Sequence, residues 1–119
     1  MKKKILIIDD DAELCEELAD ALAGEGHQVQ TACDGVSGLR LAISGKYDVI
    51  VLDFKMPGMT GDEVLRAMGT KPDRPKIFFI TGRPEIEKFV IDENLSGLVD
   101  VVMGKPFDID IFLEKIKTI

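Results

Sequence analysis

The sequence predicts an α/β domain, a doubly wound open sheet of five parallel strands with helices on both faces. Three observations predict it. Short apolar runs recur at "ILII" (5 to 8), "VIVL" (49 to 52), "IFFI" (77 to 80) and "VDVVM" (99 to 103), each too short for a helix. These runs are almost continuously apolar rather than alternating, as strands buried on both faces of a parallel sheet are. Between them lie segments with helical spacing, so strand and helix alternate along the chain as (βα)5.

The elements follow in order. "ILII" leads into a first helix, in which Leu14, Leu18 and Leu22 recur at i, i+4 and i+8 from a start at Asp10-Asp11. Asp10 and Glu13 have the spacing of a capping box there. The second strand, "QVQTAC" (28 to 33), alternates Gln28 and Gln30 with Val29 and Thr31, a pattern that suits an edge strand. Val36, Leu39 and Ile43 mark a second helix closed by Gly45. The third strand is followed by a Pro/Gly-rich turn and a short helix marked by Val64, Leu65 and Met68, which stops before "TKPDRP". Behind the fourth strand, Pro84 suits a first helical turn, and Ile86, Phe89, Val90 and Glu93 continue that helix. Ile109, Phe112, Leu113 and Ile116 mark the last. No repeat or linker divides the chain, and 119 residues with 45% hydrophobic content suit a single domain over 1–119 with one buried core.

Composition excludes several classes of function. A formal net charge of -7 repels nucleic acid and anionic membrane surfaces, and Lys2-Lys3-Lys4 is too short a basic run to reverse that. No apolar run approaches a membrane span, and the N-terminus lacks the apolar core and cleavage site of a signal peptide, so the chain reads as cytoplasmic. Cys15 and Cys33 lie far apart with no CxxC and no His cluster, which points to reduced thiols in or near the core rather than a metal site or disulfide. His27, alone in the "GEGHQ" connection, reads as a surface turn residue.

In doubly wound sheets ligands bind outside the carboxyl ends of the strands, where strand order reverses. Asp9 and Asp10 follow strand 1, Asp53 follows strand 3, Thr81 strand 4 and Lys105 strand 5. In the flavodoxin-like order 2-1-3-4-5, strands 1 and 3 are neighbours and the three carboxylates meet. Singly, each residue has an ordinary explanation: Asp10 and Asp11 as caps, Asp53 as a turn former, Thr81 as a helix cap, Lys105 as a solvated loop lysine. Together, on the one edge where ligands bind, they form a site. Carboxylates crowded in a partly desolvated cleft require a cation, and a donor set of oxygens alone favours a hard ion, Mg2+ (or Mn2+). Mg2+ typically adds phosphate oxygens to one or two carboxylates, which implies a phosphoryl group. The Thr81 hydroxyl and the Lys105 ammonium would neutralise its remaining oxygens in transfer. A carboxylate can itself be the nucleophile, forming an aspartyl phosphate, and Asp53 stands between the acid pair and the Thr/Lys side.

The segments "ILIIDDD", "DVIVLDFKMPGMTG", "FFITG" and "GKPF" resemble the four signature segments of the response-regulator receiver domain, the CheY-like family, and the resemblance spans essentially the whole chain. It implies a two-component signalling role with Asp53 as phosphoacceptor. Asp9, Asp10 and Asp53 would hold Mg2+ with the backbone carbonyl of Lys55. Thr81 and Lys105 would contact the phosphoryl group, and the Lys105–Pro106 bond would be cis. The phosphohistidine of a histidine kinase or a histidine phosphotransfer protein would be the donor, with small phosphodonors as substitutes. The domain would catalyse transfer onto its own Asp53 and the later hydrolysis, and would change conformation to signal a downstream effector protein or fused output domain.

The chain departs from the family pattern at Val102, where Tyr or Phe is usual, and at Lys55 and Arg83, long cations that flank the acidic mouth. Two other readings stand beside it. "IIDDDAE" superficially matches the haloacid-dehalogenase phosphatases, with Asp9 as nucleophile and Asp11 as acid/base, although Glu13 replaces the expected Thr and there is little room for a substrate cap. A phosphorylation-independent pseudo-receiver is the third.

Overall fold

In the computed structural model, which describes residues 2–69, 74–82, 88, 90, 91, 95 and 97–119, the apolar runs form the strands β1 (Lys4–Ile8), β2 (Gln28–Ala32), β3 (Val49–Asp53), β4 (Lys76–Thr81) and β5 (Val101–Gly104). All pair in parallel in the order β2-β1-β3-β4-β5, as predicted. β3 lies in the middle between β1 and β4, and all three are apolar almost throughout because helices cover both faces of the sheet. β2 closes one edge, leaving Gln28 and Gln30 exposed. Four helices are described: α1 (Ala12–Gly24), α2 (Gly35–Ser44), α3 (Gly61–Met68) and α4 (Ile109–Thr118). Of the helix predicted behind β4, Lys88, Val90 and Ile91 are helical and Val90 is buried. Arg83, Pro84, Ile86, Phe89 and Glu93 lie outside the described residues.

Strand alternation splits the core into two layers. Ile5, Ile7, Val51, Phe78 and Ile80 pack with Cys15, Leu18 and Leu22 of α1 and Phe112 and Ile116 of α4. Leu6, Ile8, Ile50, Leu52 and Phe79 pack with Val64 and Leu65 of α3 and with Val90 and Leu95. Edge-to-face contact of Phe78 with Phe112, ring centroids 5.2 Å apart, ties α4 to the sheet.

Local chemistry differs from expectation at three points. The cap of α1 is Asp11, whose carboxylate accepts the Leu14 N–H at 3.1 Å; the Asp10/Glu13 box does not form, because the chain is still turning at Asp10 and the helix starts one residue later. In α2 the predicted stripe is the buried face only in part: Leu39 packs against the core. Val36 and Ile43 are 54% and 65% exposed, while Gly35 and Gly38 are buried. A Cβ on Gly38 would fall 2.5 Å from the Ile8 side chain, so the helix docks through its missing side chain and turns Val36 and Ile43 outward. His27 does lie in a turn, but it is half-buried and its Nδ1 accepts the Lys3 N–H at 3.0 Å. Among the described residues no helix is long and apolar enough to cross a membrane.

Candidate phosphoryl-transfer site

The site is assembled where four strands run out at one edge. Asp9 follows β1 directly, and its N–H continues the ladder by donating to the Ala32 carbonyl at 3.1 Å. Its side chain is fully buried and held twice: Oδ1 accepts the Asp11 N–H at 2.9 Å and Oδ2 accepts from Lys105 Nζ at 2.7 Å. The Cys15 thiol donates to the Asp9 carbonyl at 3.3 Å. Asp53 is the buried last residue of β3, paired with Ile80. Asp10 lies exposed at the turn into α1. Asp9, Asp10 and Asp53 can each present one oxygen so that all three lie within 4.8 Å of one another.

Thr81 ends β4, buried, and its carbonyl accepts the Lys105 N–H at 2.7 Å. This bond extends the β4–β5 ladder and sets Lys105 beside the acids, ahead of a cis bond to Pro106. From there Nζ reaches Asp53 Oδ1 at 3.5 Å as well as Asp9. The loop after Asp53 is pinned at both ends. The Phe54 N–H donates to the Ile80 carbonyl at 3.2 Å and the Phe54 carbonyl accepts the Gly61 N–H at 2.7 Å. Between them Met56 is buried, Gly58 turns with φ +80, and the Lys55 side chain is exposed. A cavity of about 970 Å³ opens over the site, lined among others by Asp10, Asp53, Lys55, Thr81, Gly82 and Lys105.

Burial, and then the neighbouring charge of Asp9, push the Asp53 carboxyl up to about 6, against the opposing pull of Lys105. For Lys105, burial works to lower the ammonium, but hydrogen bonding and attraction from Asp9 and Asp53 outweigh it and the net shift is upward. Among the described residues Lys105 is the cation paired with these carboxylates, through Asp9 and Asp53, which leaves room for a divalent cation. The donor set fits Mg2+: oxygens only, close enough to share one ion, at the mouth of a cavity that can supply water or phosphoryl oxygens.

Asp9, Asp10, Asp53, Thr81 and Lys105 thus meet at one edge, with Lys55 at the rim; Arg83 lies outside the described residues. Of the two phosphatase residues, Asp9 is buried with its oxygens accepting from the Asp11 N–H and from Lys105, and Asp11 accepts the Leu14 N–H as the cap of α1. Sequence reasoning missed the Lys105–Asp9 ion pair and Gly61. A Cβ on Gly61 would lie 2.4 Å from the Asp53 carbonyl oxygen, so this glycine lets α3 abut the backbone of Asp53. Its only sequence signal was a glycine at a helix start, where glycine is commonplace.

The family model of the response regulator receiver domain matches residues 5–117. The chain is 31% identical over 117 residues to sporulation initiation phosphotransferase F of Bacillus subtilis, covering 98% of this chain and 93% of that one. It is 32% identical to response regulator MprA of Mycobacterium ulcerans over 100% of this chain and 50% of the relative, so it spans about half the length of that protein. The receiver domain protein (CheY-like) of Methanospirillum hungatei has a TM-score of 0.88 at 30% identity, covering 99% of this chain and 93% of that one. Response regulator protein TrrA of Thermotoga maritima, in complex with Mg(2+)-BeF, has a TM-score of 0.83 at 33% identity, covering 98% and 97%.

Proposed function

Since the chain belongs to the response regulator receiver domains of two-component systems, we propose that Asp53 accepts a phosphoryl group from the phosphohistidine of a histidine kinase or histidine phosphotransfer protein, in a Mg2+-dependent reaction. The observation that carries this reading is the position of Asp53. It alone among the three acids is buried, lines the cavity and lies within reach of Lys105. Asp9 is occupied beneath it and Asp10 is exposed at the rim.

An Asp53 carboxylate oxygen attacks phosphorus, the bond from phosphorus to the donor imidazole nitrogen breaks, and the electron pair leaves with the imidazole. The Lys105 ammonium and the Thr81 hydroxyl, on neighbouring strand ends, take the charge on the phosphoryl oxygens. Asp9, Asp10, Asp53 and the Lys55 carbonyl would hold Mg2+, which when bound supplies charge neutralisation for the incoming phosphoryl group. Lys105 exchanges its partner Asp9 for the phosphoryl oxygen as the site fills.

The domain then passes the state on to an effector protein or a fused output domain. Val102 pairs with Phe79 in register and is half-buried against the α3 layer, with no ring to move in or out. The change is carried instead by Thr81 and Gly82, at the start of the segment that follows β4. We place this exchange in the cytoplasm.

Intact-mass analysis after exposure to a small phosphodonor with Mg2+ tests the reading. One phosphoryl group is expected on the parent and none on Asp53→Asn. Undiminished uptake by Asp53→Asn would overturn it, and uptake that depends on Asp9 alone would favour the phosphatase reading.

A further inference from the structure

Cys15 sits in the first turns of α1 and Cys33 just past β2, and their sequence spacing offers no reason to couple them. The β1–β2 ladder brings them to one place. Ile8 pairs with Ala32, and the Asp9 N–H extends the ladder to the Ala32 carbonyl at 3.1 Å. Asp9 therefore stands across from Cys33 at about one strand spacing, ~4.8 Å. The Cys15 thiol donates to the carbonyl of this same Asp9 at 3.3 Å, over the end of that ladder. Side chains along β2 alternate, with Val29 in the α1 layer and Ala32 in the other; carried one residue past the strand, that alternation would turn Cys33 toward α1. Both thiols are free, Cys15 buried and Cys33 exposed.

We propose that Cys15 and Cys33 form a redox pair that closes into an intramolecular disulfide beside the acid cluster, and that closure weakens cation binding there; the second half rests on the cation site proposed above. The oxidant is a small-molecule disulfide. The exposed Cys33 reacts first, its thiolate attacking one sulfur of the oxidant, whose S–S bond breaks to release one half as a thiolate that takes up a proton. The Cys15 sulfur then attacks the Cys33 sulfur of the mixed disulfide, the second half leaves, and the proton lost from Cys15 ends on it. Two cysteine thiols lose two electrons and two protons, and one oxidant disulfide becomes two thiols. Burial slows the second step, while the fixed position of Cys15 over the end of the ladder gives it a high effective concentration.

Closure removes the thiol hydrogen from the Asp9 carbonyl. It also draws the start of α1 toward the end of β2, and Asp11 in that start holds Asp9 Oδ1 through its N–H. Asp9 loses its alignment with Asp10 and Asp53, and the three oxygens no longer converge.

The test treats the reduced protein with oxidised glutathione, quenches in acid and digests at glutamate. Glu16, Glu17 and Glu25 separate the two cysteines, whereas cutting at lysine and arginine leaves both on one peptide ending at Arg40. Linked Cys15 and Cys33 peptides are expected from the parent, a stable glutathione adduct on Cys33 from Cys15→Ser, and no adduct from Cys33→Ser. Mg2+ titration by calorimetry should show several-fold weaker binding to the disulfide form than to the reduced form. A parent that stops at the Cys33 adduct, or a disulfide form with undiminished Mg2+ affinity, overturns the proposal. Failure of the reduced form to bind Mg2+ overturns the cation site and with it the second half, while peptide mapping still decides the pair.

Discussion

The Lys105 ammonium donates to Asp9 Oδ2 at 2.7 Å, linking a loop after the last strand to the end of the first. Among the described residues it is the positive charge paired with the buried Asp9, and a divalent ion must compete with it for the same carboxylate. Lys105→Ala should therefore bind Mg2+ several-fold more tightly than the parent, while retaining little of a transferred phosphoryl group. Calorimetric titration reads the first effect and intact mass the second. Equal Mg2+ affinity in the two proteins would show that Lys105 and the cation do not share Asp9.

The raised Asp53 carboxyl predicts a pH-dependent stability gain from its removal. Its folded value, about 6, lies above the ordinary 3.8, so the stability that goes with the protonated form is present below 3.8 and is lost as pH rises through about 6. Asp53→Asn should stabilise the cation-free protein near neutral pH by about 1–3 kcal/mol. Near pH ~4 the gain should be much smaller. Urea unfolding at the two pH values measures it, and a pH-independent difference would refute the electrostatic origin.

His27 predicts the opposite dependence. Burial, then the positive charge of Lys3, hold its imidazole below the ordinary 6.5, and Nδ1 accepts the Lys3 N–H. Its contribution is present above 6.5 and lost as pH falls through the lower folded value, because protonation turns the acceptor into a donor facing a donor. Lys3 Nζ in turn contacts the Ile116 and Lys117 carbonyls of α4, so the loss extends to that helix end. Thermal unfolding should show a steeper acid decline for the parent than for His27→Gln, whose amide oxygen can accept the same bond. Parallel declines would remove His27 from the account.

Gly61→Ala tests how tightly α3 is set against the phosphoacceptor. The added Cβ would meet the Asp53 carbonyl oxygen at 2.4 Å, Phe79 at 2.8 Å and the Phe54 Cα at 2.9 Å, mostly backbone that cannot swing aside. The substitution should cost about 1–3 kcal/mol and slow phosphoryl uptake by displacing Asp53. Chemical denaturation and a time course of intact mass check the two effects. A variant with parental stability and uptake would mean that the backbone yields without consequence.

The strand and helix order, the edge character of β2 and the gathering of Asp9, Asp10, Asp53, Thr81 and Lys105 at one edge were legible in the sequence. Each is written locally, in runs such as "VIVL" that end on a polar residue, and the right-handed crossover restricts how such units assemble. The rotation of α2 was not legible. Of Val36, Leu39 and Ile43, Leu39 packs on the core while Val36 and Ile43 turn outward, because the helix docks through Gly38 and only a residue without a side chain admits that approach to Ile8. The α1 cap likewise passed to Asp11 because the backbone beyond β1 keeps turning through Asp10 while Asp11 donates to Asp9. Which acids are buried, which of them Lys105 reaches, and that Cys15 and Cys33 lie by the same Asp9 were decided by tertiary structure alone. Such relations join residues distant in the chain, and their strength depends on burial and separation, quantities that exist only once the sheet has brought the strand ends together.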